Sequence, residues 1–581
     1  MEHFRDTAFG HAMQLMTGGT VPQLQYLDER SRDGWRRYIE EDKSAGTPRH
    51  GQVGVHATDG DGENKPAGQG TIHRSRTISV DTDQTMVPES DEGDGYFGSV
   101  SDIVVDPEKG RYDHVIRFLP NDPENPQNWP VSKKVFVTFQ ICLLTACIYI
   151  GSAIYTSGLT DVMQVFGVSQ VEALLGLTLF VAGYGLGPMI WSPMSEIPQV
   201  GRNPVYIGTL FVFFLLQIPT AMSTSFSMLL AFRFLSGFVG SPVLATGGAT
   251  LVDIWSPKKR AYPIACWGIA AVAGPTLGPV VGGFAAMAKG WTWPIWELMW
   301  LSGLVFVLLF LCLPETSSAN ILFRRAKRLR KITGNDRIKS EPEVMAEGMT
   351  GREIVMMCLV RPFTLNFAEP MVFLLNLYIA LVYGLLYIWF ESFPIIFSGI
   401  YGFTAGMEGL AFLGIMAGAF VAIPPFFWYL HKYLEPQFDE NGDIQPEKRL
   451  PPAFVGAFAI PLCLFWFGWS AKADVHWIVP VIGSAWFSFG STFLFNSVLN
   501  YLPDAYPAYA ASVLAGNDLF RSAFGATFPL FANTMYERLG VNWASSLLGF
   551  MAIVFIPIPF VLYKVGANLR KNHSKHARKD I

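Results

Sequence analysis

Residues 273–284, AGPTLGPVVGGF, decide the fold. Three of the glycines recur every fourth residue, so in a helix they lie along one face and let a neighbouring backbone approach closely. The two prolines each remove a hydrogen bond of the helix and bend it. We therefore predict a bent, tightly packed membrane helix that acts as a seal or pivot between two bundles, with packing alone as the alternative. The residues of this motif are Gly274, Pro275, Gly278, Pro279, Gly282 and Gly283.

The composition places this helix in a polytopic membrane protein. Of 581 residues, 50% are hydrophobic and 15% are charged, whereas a soluble domain has about 25% charged residues. A membrane helix needs about 20 mainly apolar residues, and we count twelve such segments in two sets of six. This excludes a secreted disulfide scaffold, a DNA-binding module and most soluble enzymes. The segments are 134–156, 171–193, 204–222, 226–250, 262–286, 294–313, 366–390, 407–430, 452–470, 476–500, 510–534 and 542–564.

These segments predict an all-α membrane protein of two six-helix bundles, whose near-equal halves suggest a duplicated architecture. Within the polar tail, the apolar spacing of residues 4–16 predicts a surface helix, and the composition of residues 43–98 predicts disorder. The predicted regions are a tail (1–130), a first bundle (131–316), a central loop (317–365), a second bundle (366–565) and a carboxyl-terminal tail (566–581).

Lysine and arginine in the short loops set the orientation. Cytoplasmic loops of membrane proteins carry the excess of these residues, and here they gather on one side, in Lys258–Arg260, at 324–331 and in the carboxyl-terminal tail. Both ends are therefore predicted to be cytoplasmic. The central basic cluster serves either as a topology signal or as a contact for anionic lipid.

Enzyme chemistry has no signature in the sequence. The chain has no P-loop, no GxSxG, no HExxH and no clustered histidines. Its six cysteines show no metal-ligand spacing and are interpreted as small buried hydrophobic residues. We therefore expect no catalytic residues, no metal, no cofactor, no ATP as energy source and no nucleic-acid partner.

A cation lies within the fourth segment, in LAFRFLSGFVGSPVLATGG (230–248). A buried arginine in a membrane is costly and usually faces a polar interior, where it has a function. Arg233 either holds a carboxylate, lowers its pKa and so takes part in proton transfer, or serves as a structural tether to a neighbouring carbonyl.

Two further sets of charged residues bear on coupling. The loop GPMIWSPMSEIPQVGRNPVY (187–206) holds Gly187, Glu196, Gly201 and Arg202. Glu196 and Arg202 are interpreted either as charge contacts that keep one access state closed or as topology markers. In the eleventh segment, the three-residue spacing of Asp518 and Arg521 predicts an ion pair. Alternatively, Asp518 also titrates, which adds both residues to the proton-coupling candidates.

The seventh segment, EPMVFLLNLYIALVYGLLYIWFESFP (369–394), is rich in aromatic residues. Tyr383 and Tyr387 share one face, and Glu391 lies near the outer end. Aromatic rings with a few hydrogen-bonding groups suit large, flat, apolar ligands, although aromatic residues also form belts at membrane interfaces. The substrate-binding candidates are Tyr383, Tyr387, Asn376 and Tyr378, with Gln140 and Asn496 as weaker ones from the first and tenth segments.

Several of these motifs resemble those of the major facilitator superfamily. AGPTLGPVVGG resembles its fifth-helix antiporter motif, LLAFRFLSGFVG its fourth-helix arginine motif, and GPMIWSPMSEIPQVGR its loop motif, with Glu196 where an Asp is common. DPENPQNWP, WTWPIWELMW, YGLLYIWFESFP and SVLAGNDLFRSAFGATFPLF are similar to stretches of the fungal drug:proton antiporters with twelve spans, of the type linked to azole and benomyl resistance. The resemblance covers about residues 105–581 and FRDTAFGH near the start.

The resemblance implies a major facilitator fold, with two six-helix bundles related by a pseudo-two-fold axis. It also implies proton-driven export of drugs or toxins across the plasma membrane by alternating access. The partners expected are small apolar compounds, protons and the lipid bilayer, and the chain is expected to act as a monomer. The alternatives are an exporter of one endogenous toxic metabolite, a nutrient or polyamine carrier, and a transporter-like sensor.

Overall fold

A computed structural model describes residues 4–17, 21, 25–26, 29, 114–347, 352–353, 356–440 and 442–579. In this part of the chain, eleven helical segments are long and apolar enough to cross a membrane. We refer to them by their order. The segments are Val131–Phe166, Gln170–Glu196, Arg202–Ala221, Phe226–Ile254, Ala261–Lys289, Thr292–Cys312, Pro370–Ser398, Ala405–Gln437, Pro451–Ser470, Ile478–Ala505 and Ser512–Asn572.

The last of these segments crosses twice. It has 61 residues, which as one straight helix would extend about 90 Å, three times the thickness of the hydrocarbon core. Gly540 interrupts it with φ 73° and ψ 160°, a backbone conformation that glycine adopts readily. Residues before Gly540 form the eleventh span and those after it the twelfth. The predicted twelve spans are therefore confirmed.

Several spans are divided into shorter helices. The bounds are Val131–Ala153 and Leu159–Phe166 in the first span, Gln170–Leu186 and Pro188–Glu196 in the second, Phe226–Gly240 and Pro242–Ile254 in the fourth, Pro370–Phe393 in the seventh, Ala405–Ala411 and Leu413–Tyr429 in the eighth, and Ala510–Phe555 and Pro557–Asn572 in the last segment. The eighth span extends beyond its predicted 407–430 and the tenth beyond its predicted 476–500, because the helices continue past the apolar core.

The two halves pack in the same pattern. The first span packs on the fifth and the second on the fourth, just as the seventh packs on the eleventh and the eighth on the tenth. Contacts between the halves repeat the pattern: the fifth span meets the eighth, and the second meets the eleventh. This is the pseudo-two-fold arrangement of two six-helix bundles, and it places the spans of the candidate site at the interface between them.

The segment between the bundles forms a folded layer on one end of the molecule, which we call the tail face. A linker helix, Ser318–Thr333, lies beside two short parallel strands, His114–Ile116 and Ile338–Ser340. Two short helices, Glu341–Glu347 and Arg361–Ala368, lead to the seventh span.

Ion pairs hold the linker helix in this layer. Arg325 is fully buried and binds Asp122 with both terminal nitrogens, at 2.6 and 3.0 Å. Arg330 pairs with Glu343 at 3.0 Å. These cations of the central basic cluster are therefore bound to acidic residues of the protein.

The amino-terminal tail contributes to the same layer. The helix predicted over 4–16 begins at Ala8 and ends at Met16, because the Thr7 side chain caps it by accepting from Gly10 N. Phe9 packs edge-on against Phe310 of the sixth span, at 6.3 Å between ring centroids. The predicted disordered stretch, 43–98, lies outside the described residues.

Candidate transport pathway

Arg233 lies at the centre of the first bundle and is 1% exposed. Its guanidinium donates to three backbone carbonyls, those of Gly176 (3.0 Å), Gly151 (2.8 Å) and Ser152 (3.3 Å). No carboxylate of the described residues lies within 4 Å of it. The guanidinium therefore connects the fourth span to the first and second. This geometry matches the alternative in which Arg233 is a structural tether to neighbouring carbonyls.

Four hydroxyl groups connect the two bundles beside this arginine. Tyr184 of the second span lies 2.7 Å from the hydroxyl of Tyr383 and 2.8 Å from that of Tyr387. Tyr387 also contacts the Ser152 hydroxyl at 2.9 Å, and the carbonyl of this same serine binds Arg233. We call Ser152, Tyr184, Tyr383 and Tyr387 the tyrosine cluster. A movement of either bundle must rearrange it.

Two apolar cavities lie between the bundles next to this cluster. The first is lined by the fifth, seventh, tenth and eleventh spans, and Tyr383 and Trp267 form part of its wall. The second lies nearer the tail face. Trp267, Leu499 and Arg521 line both cavities, so the two adjoin, and we call them together the path. Mostly apolar walls with a few polar groups suit hydrophobic ligands.

Asp518 and Arg521 face this path as an ion pair. Arg521 Nε donates to Asp518 Oδ1 at 2.8 Å, and its terminal nitrogen contacts the same oxygen and the Leu244 carbonyl of the fourth span. Asp518 Oδ2 is buried, without a hydrogen-bond partner among the described residues. The pair therefore offers one free carboxylate oxygen within the wall of the second cavity.

The glycine motif packs against both bundles. A Cβ atom on Gly278 would lie 2.8 Å from Ile154 N, and one on Gly274 would lie too close to Tyr149 Cβ of the first span. On the other side, a Cβ on Gly409 of the eighth span would lie too close to the Pro279 carbonyl. Gly282 and Gly283 extend these two contacts towards the end opposite the tail face, against Ile154 and Ala405 respectively.

The loop motif makes its contacts within the first bundle. Arg202 Nε donates to Asp253 of the fourth span at 2.8 Å, and the backbone N–H of Arg202 donates to Glu315 at 3.1 Å. Gly201 has φ 79° and lies against the Glu315 carboxylate, where a side chain does not fit. Glu196 is exposed, and Gly187 packs tightly on Ser241. Arg202 thus makes charge contacts within the first bundle, whereas Glu196 has no ion pair among the described residues, and the role of both in holding one access state closed stays a prediction.

The remaining binding candidates are scattered. Asn376 bonds to Asn366 and Asn517 within the second bundle, and Tyr378 packs its ring on Phe555. Neither lines the two cavities. Gln140 is fully buried in the first span, and neither polar atom of its amide has a partner among the described residues. Asn496 lies near Gly268, which lines the first cavity.

Polar contacts close the path at the tail face. Arg260 pairs with Asp504 of the other bundle, and Asp504 also accepts from Arg449 at 2.9 Å. Burial, followed by the neighbouring charge of Arg260, lowers the pKa of Arg449 to about 9, so this group stays protonated at neutral pH. Lys259 pairs with Glu435 at 2.8 Å, which adds a second link between the bundles.

Contacts also close the opposite face. Gln170 of the second span donates to Glu391 of the seventh at 3.0 Å and accepts from Asn533 of the eleventh at 3.1 Å. Polar contacts therefore join the two bundles at both faces. The sequence analysis did not find these cross-bundle contacts or Tyr184. The one local signal was a tyrosine in GYGLGP, directly before the loop motif.

The comparisons with known proteins agree with this architecture. A family model described as Major Facilitator Superfamily matches residues 141–529. Transporter mfs1 of Schizosaccharomyces pombe is 47% identical over 79% of this chain and 87% of its own. Fluconazole resistance protein 1 of Saccharomyces cerevisiae is 44% identical over 78% and 83%. The Cycloheximide resistance protein of Candida maltosa is 41% identical over 79% and 84%.

Among solved structures, the proton:xylose symporter XylE bound to 6-bromo-6-deoxy-D-glucose aligns with a TM-score of 0.53 at 15% identity, over 75% of this chain and 96% of that one. This likeness shows the fold alone. The family model and the relatives together show that the chain belongs to the major facilitator superfamily, as a membrane transporter of many spans.

Proposed function

We propose that this transporter exports structurally diverse xenobiotics, antifungal drugs among them, in exchange for protons. The observation that carries the proposal is the pair of apolar cavities between the bundles, with Trp267 and Tyr383 in the wall and the Asp518–Arg521 pair as the polar group. Relatives named for resistance to fluconazole and cycloheximide support the substrate class. The chain acts as a monomer in the plasma membrane, with the tail face and both termini cytoplasmic.

The mechanism follows from the closed contacts at the two faces. Separation of Arg260 from Asp504 and of Lys259 from Glu435 opens the path to the cytoplasm, where a drug enters. Separation of Gln170 from Glu391 opens it to the outside. Coupling requires that the protonated and drug-loaded forms favour different access states. The tyrosine cluster transmits the change, since it contains residues of both bundles and contacts Arg233.

Transport into sealed proteoliposomes with an imposed pH gradient tests this function. We expect labelled fluconazole and cycloheximide to accumulate when the interior is acidic. Accumulation that continues at the same rate after an ionophore has collapsed the gradient would contradict proton coupling, and a lack of accumulation of any compound in a broad panel would contradict drug export.

Replacing Tyr383 is expected to change drug selectivity. Tyr383→Ala removes an aromatic wall of the first cavity, and an aromatic contact contributes about 0.5–1.5 kcal/mol, so binding of flat aromatic drugs weakens by up to about tenfold. Drugs without rings lose less. Binding to the purified protein, measured for a panel of compounds, checks the prediction. Tyr378→Phe is the matched control, since the Tyr378 hydroxyl has no partner among the described residues. An equal effect on every drug speaks against direct contact.

A further inference from the structure

Glu391 is a buried acid that the mechanism so far uses only as a contact. It is 4% exposed and lies seven residues before Ser398, the last residue of the seventh span, hence about 10 Å from the end of the helix. A carboxylate in a membrane helix is costly, and such residues mark ion pathways or proton relays. The residue needs a partner, a proton or access to water.

The described neighbours of Glu391 include no cation within 4 Å. Three other acids between or within the bundles have one: Asp518 has Arg521, Asp253 has Arg202, and Asp504 has Arg449. Glu391 instead accepts from the neutral amide of Gln170. This carboxyl is therefore stabilised in one of two ways: it binds a proton and becomes neutral, or water hydrates it when the opposite face opens.

The titratable groups around Glu391 are acids and a phenol. Glu408 of the eighth span acts on it electrostatically and itself accepts from Ser398 at 2.6 Å. Glu537 lies beyond Asn533 and accepts from its amide at 3.0 Å. Tyr387 is one helical turn away on the same face. None of these groups supplies a positive charge that would replace a proton on Glu391.

Glu391 also lies one helical turn from the tyrosine cluster. Tyr387 belongs to this cluster, and Tyr383 of the cluster lines the first cavity together with Arg521. These groups lie between the opposite face and the path that opens at the tail face. A proton accepted at Glu391 thus lies next to groups that rearrange when the bundles move.

We propose that Glu391 carries the transported proton, an assignment that rests on the proposed proton coupling. In the outward-open state its carboxylate meets external water and binds one proton. The neutral carboxyl keeps the hydrogen bond from Gln170 and allows the opposite face to close. After the tail face opens, the carboxyl gives one proton to the hydroxyls of the tyrosine cluster, each of which accepts a proton and donates its own, so that one proton leaves at the tail face. Drug binding favours this release. The carboxyl is regenerated in each cycle.

Drug-induced proton release from the purified full-length protein tests the assignment. Fluconazole or cycloheximide is added to the protein in weakly buffered detergent solution with a pH-sensitive dye. We expect the unmodified protein to release protons and Glu391→Gln to lose this signal while it still binds the drug. In proteoliposomes, Glu391→Gln should exchange drug at equal pH on both sides but lose stimulation by the gradient. Glu408→Gln, which replaces the adjacent acid, is the matched control and should keep proton release.

The outcomes separate this assignment from the proposed function. If Glu391→Gln releases protons as the unmodified protein does, or if release depends on Asp518 alone, the assignment is wrong and proton coupling stands. If the unmodified protein carries drugs without proton release or gradient dependence, the coupling itself is wrong. If Glu391→Gln does not fold, Glu391→Asp decides: it should shift the pH midpoint of proton release, and an unchanged midpoint overturns the assignment.

Discussion

Gly278→Leu is expected to reduce drug export by at least about tenfold while the protein still reaches the membrane. A Cβ at this position would lie 2.8 Å from Ile154 N and 3.0 Å from the Ala153 carbonyl carbon. These are backbone atoms of the first span, so they cannot move away as a flexible side chain does. Overpacking costs about 1–3 kcal/mol, and about 1.4 kcal/mol of strain on one access state alone changes its population tenfold. Gradient-driven uptake into proteoliposomes measures the effect.

Gly208→Leu is the matched control for this variant. Gly208 is an exposed glycine of the third span, and a Cβ there has no atom within 4 Å. The same change in side-chain volume should therefore leave transport near its original rate. Gly278→Ala should fall between the two, since it adds only the Cβ. Normal turnover of Gly278→Leu would show that the fifth and first spans do not need this close approach.

The features that the sequence predicts well are those with a local physical signal. Long apolar segments predict the spans, and the four-residue spacing of Gly274, Gly278 and Gly282 predicts a close helix contact whatever the neighbour is. The pairing of Asp518 and Arg521 also follows from spacing, because residues three apart are adjacent on a helix. The structure shows this contact at 2.8 Å.

The features that the sequence cannot predict depend on partners far away in the chain. Ser152 contacts Tyr387 across 235 positions, and Gln170 contacts Glu391 across 221. No periodicity within one helix indicates which face of another helix it meets. For the same reason the sequence named Arg202 as a charge-contact residue without its partner, which is Asp253, 51 positions away.

Arg233→Ala is expected to abolish gradient-driven export and to leave surface expression near normal. The change removes three hydrogen bonds from a charged donor to the carbonyls of Gly151, Ser152 and Gly176, each worth about 1.5–3 kcal/mol. Ser152 then loses the contact that positions its hydroxyl against Tyr387. Arg233 does not line either cavity, so we expect drug binding to change less than transport. Uptake and binding by the same purified variant measure the two effects.

Arg233→Lys distinguishes charge from geometry in this role. Lysine keeps the positive charge, but it lacks the planar group with several donors that reaches three carbonyls at once. If the tether is what matters, Arg233→Lys should resemble Arg233→Ala in transport and in the loss of gradient stimulation. If the charge alone matters, the lysine variant should recover most of the gradient-driven rate. Undiminished export by Arg233→Ala would rule out both roles, because neither the charge nor the three carbonyl contacts would then be needed for the change of access.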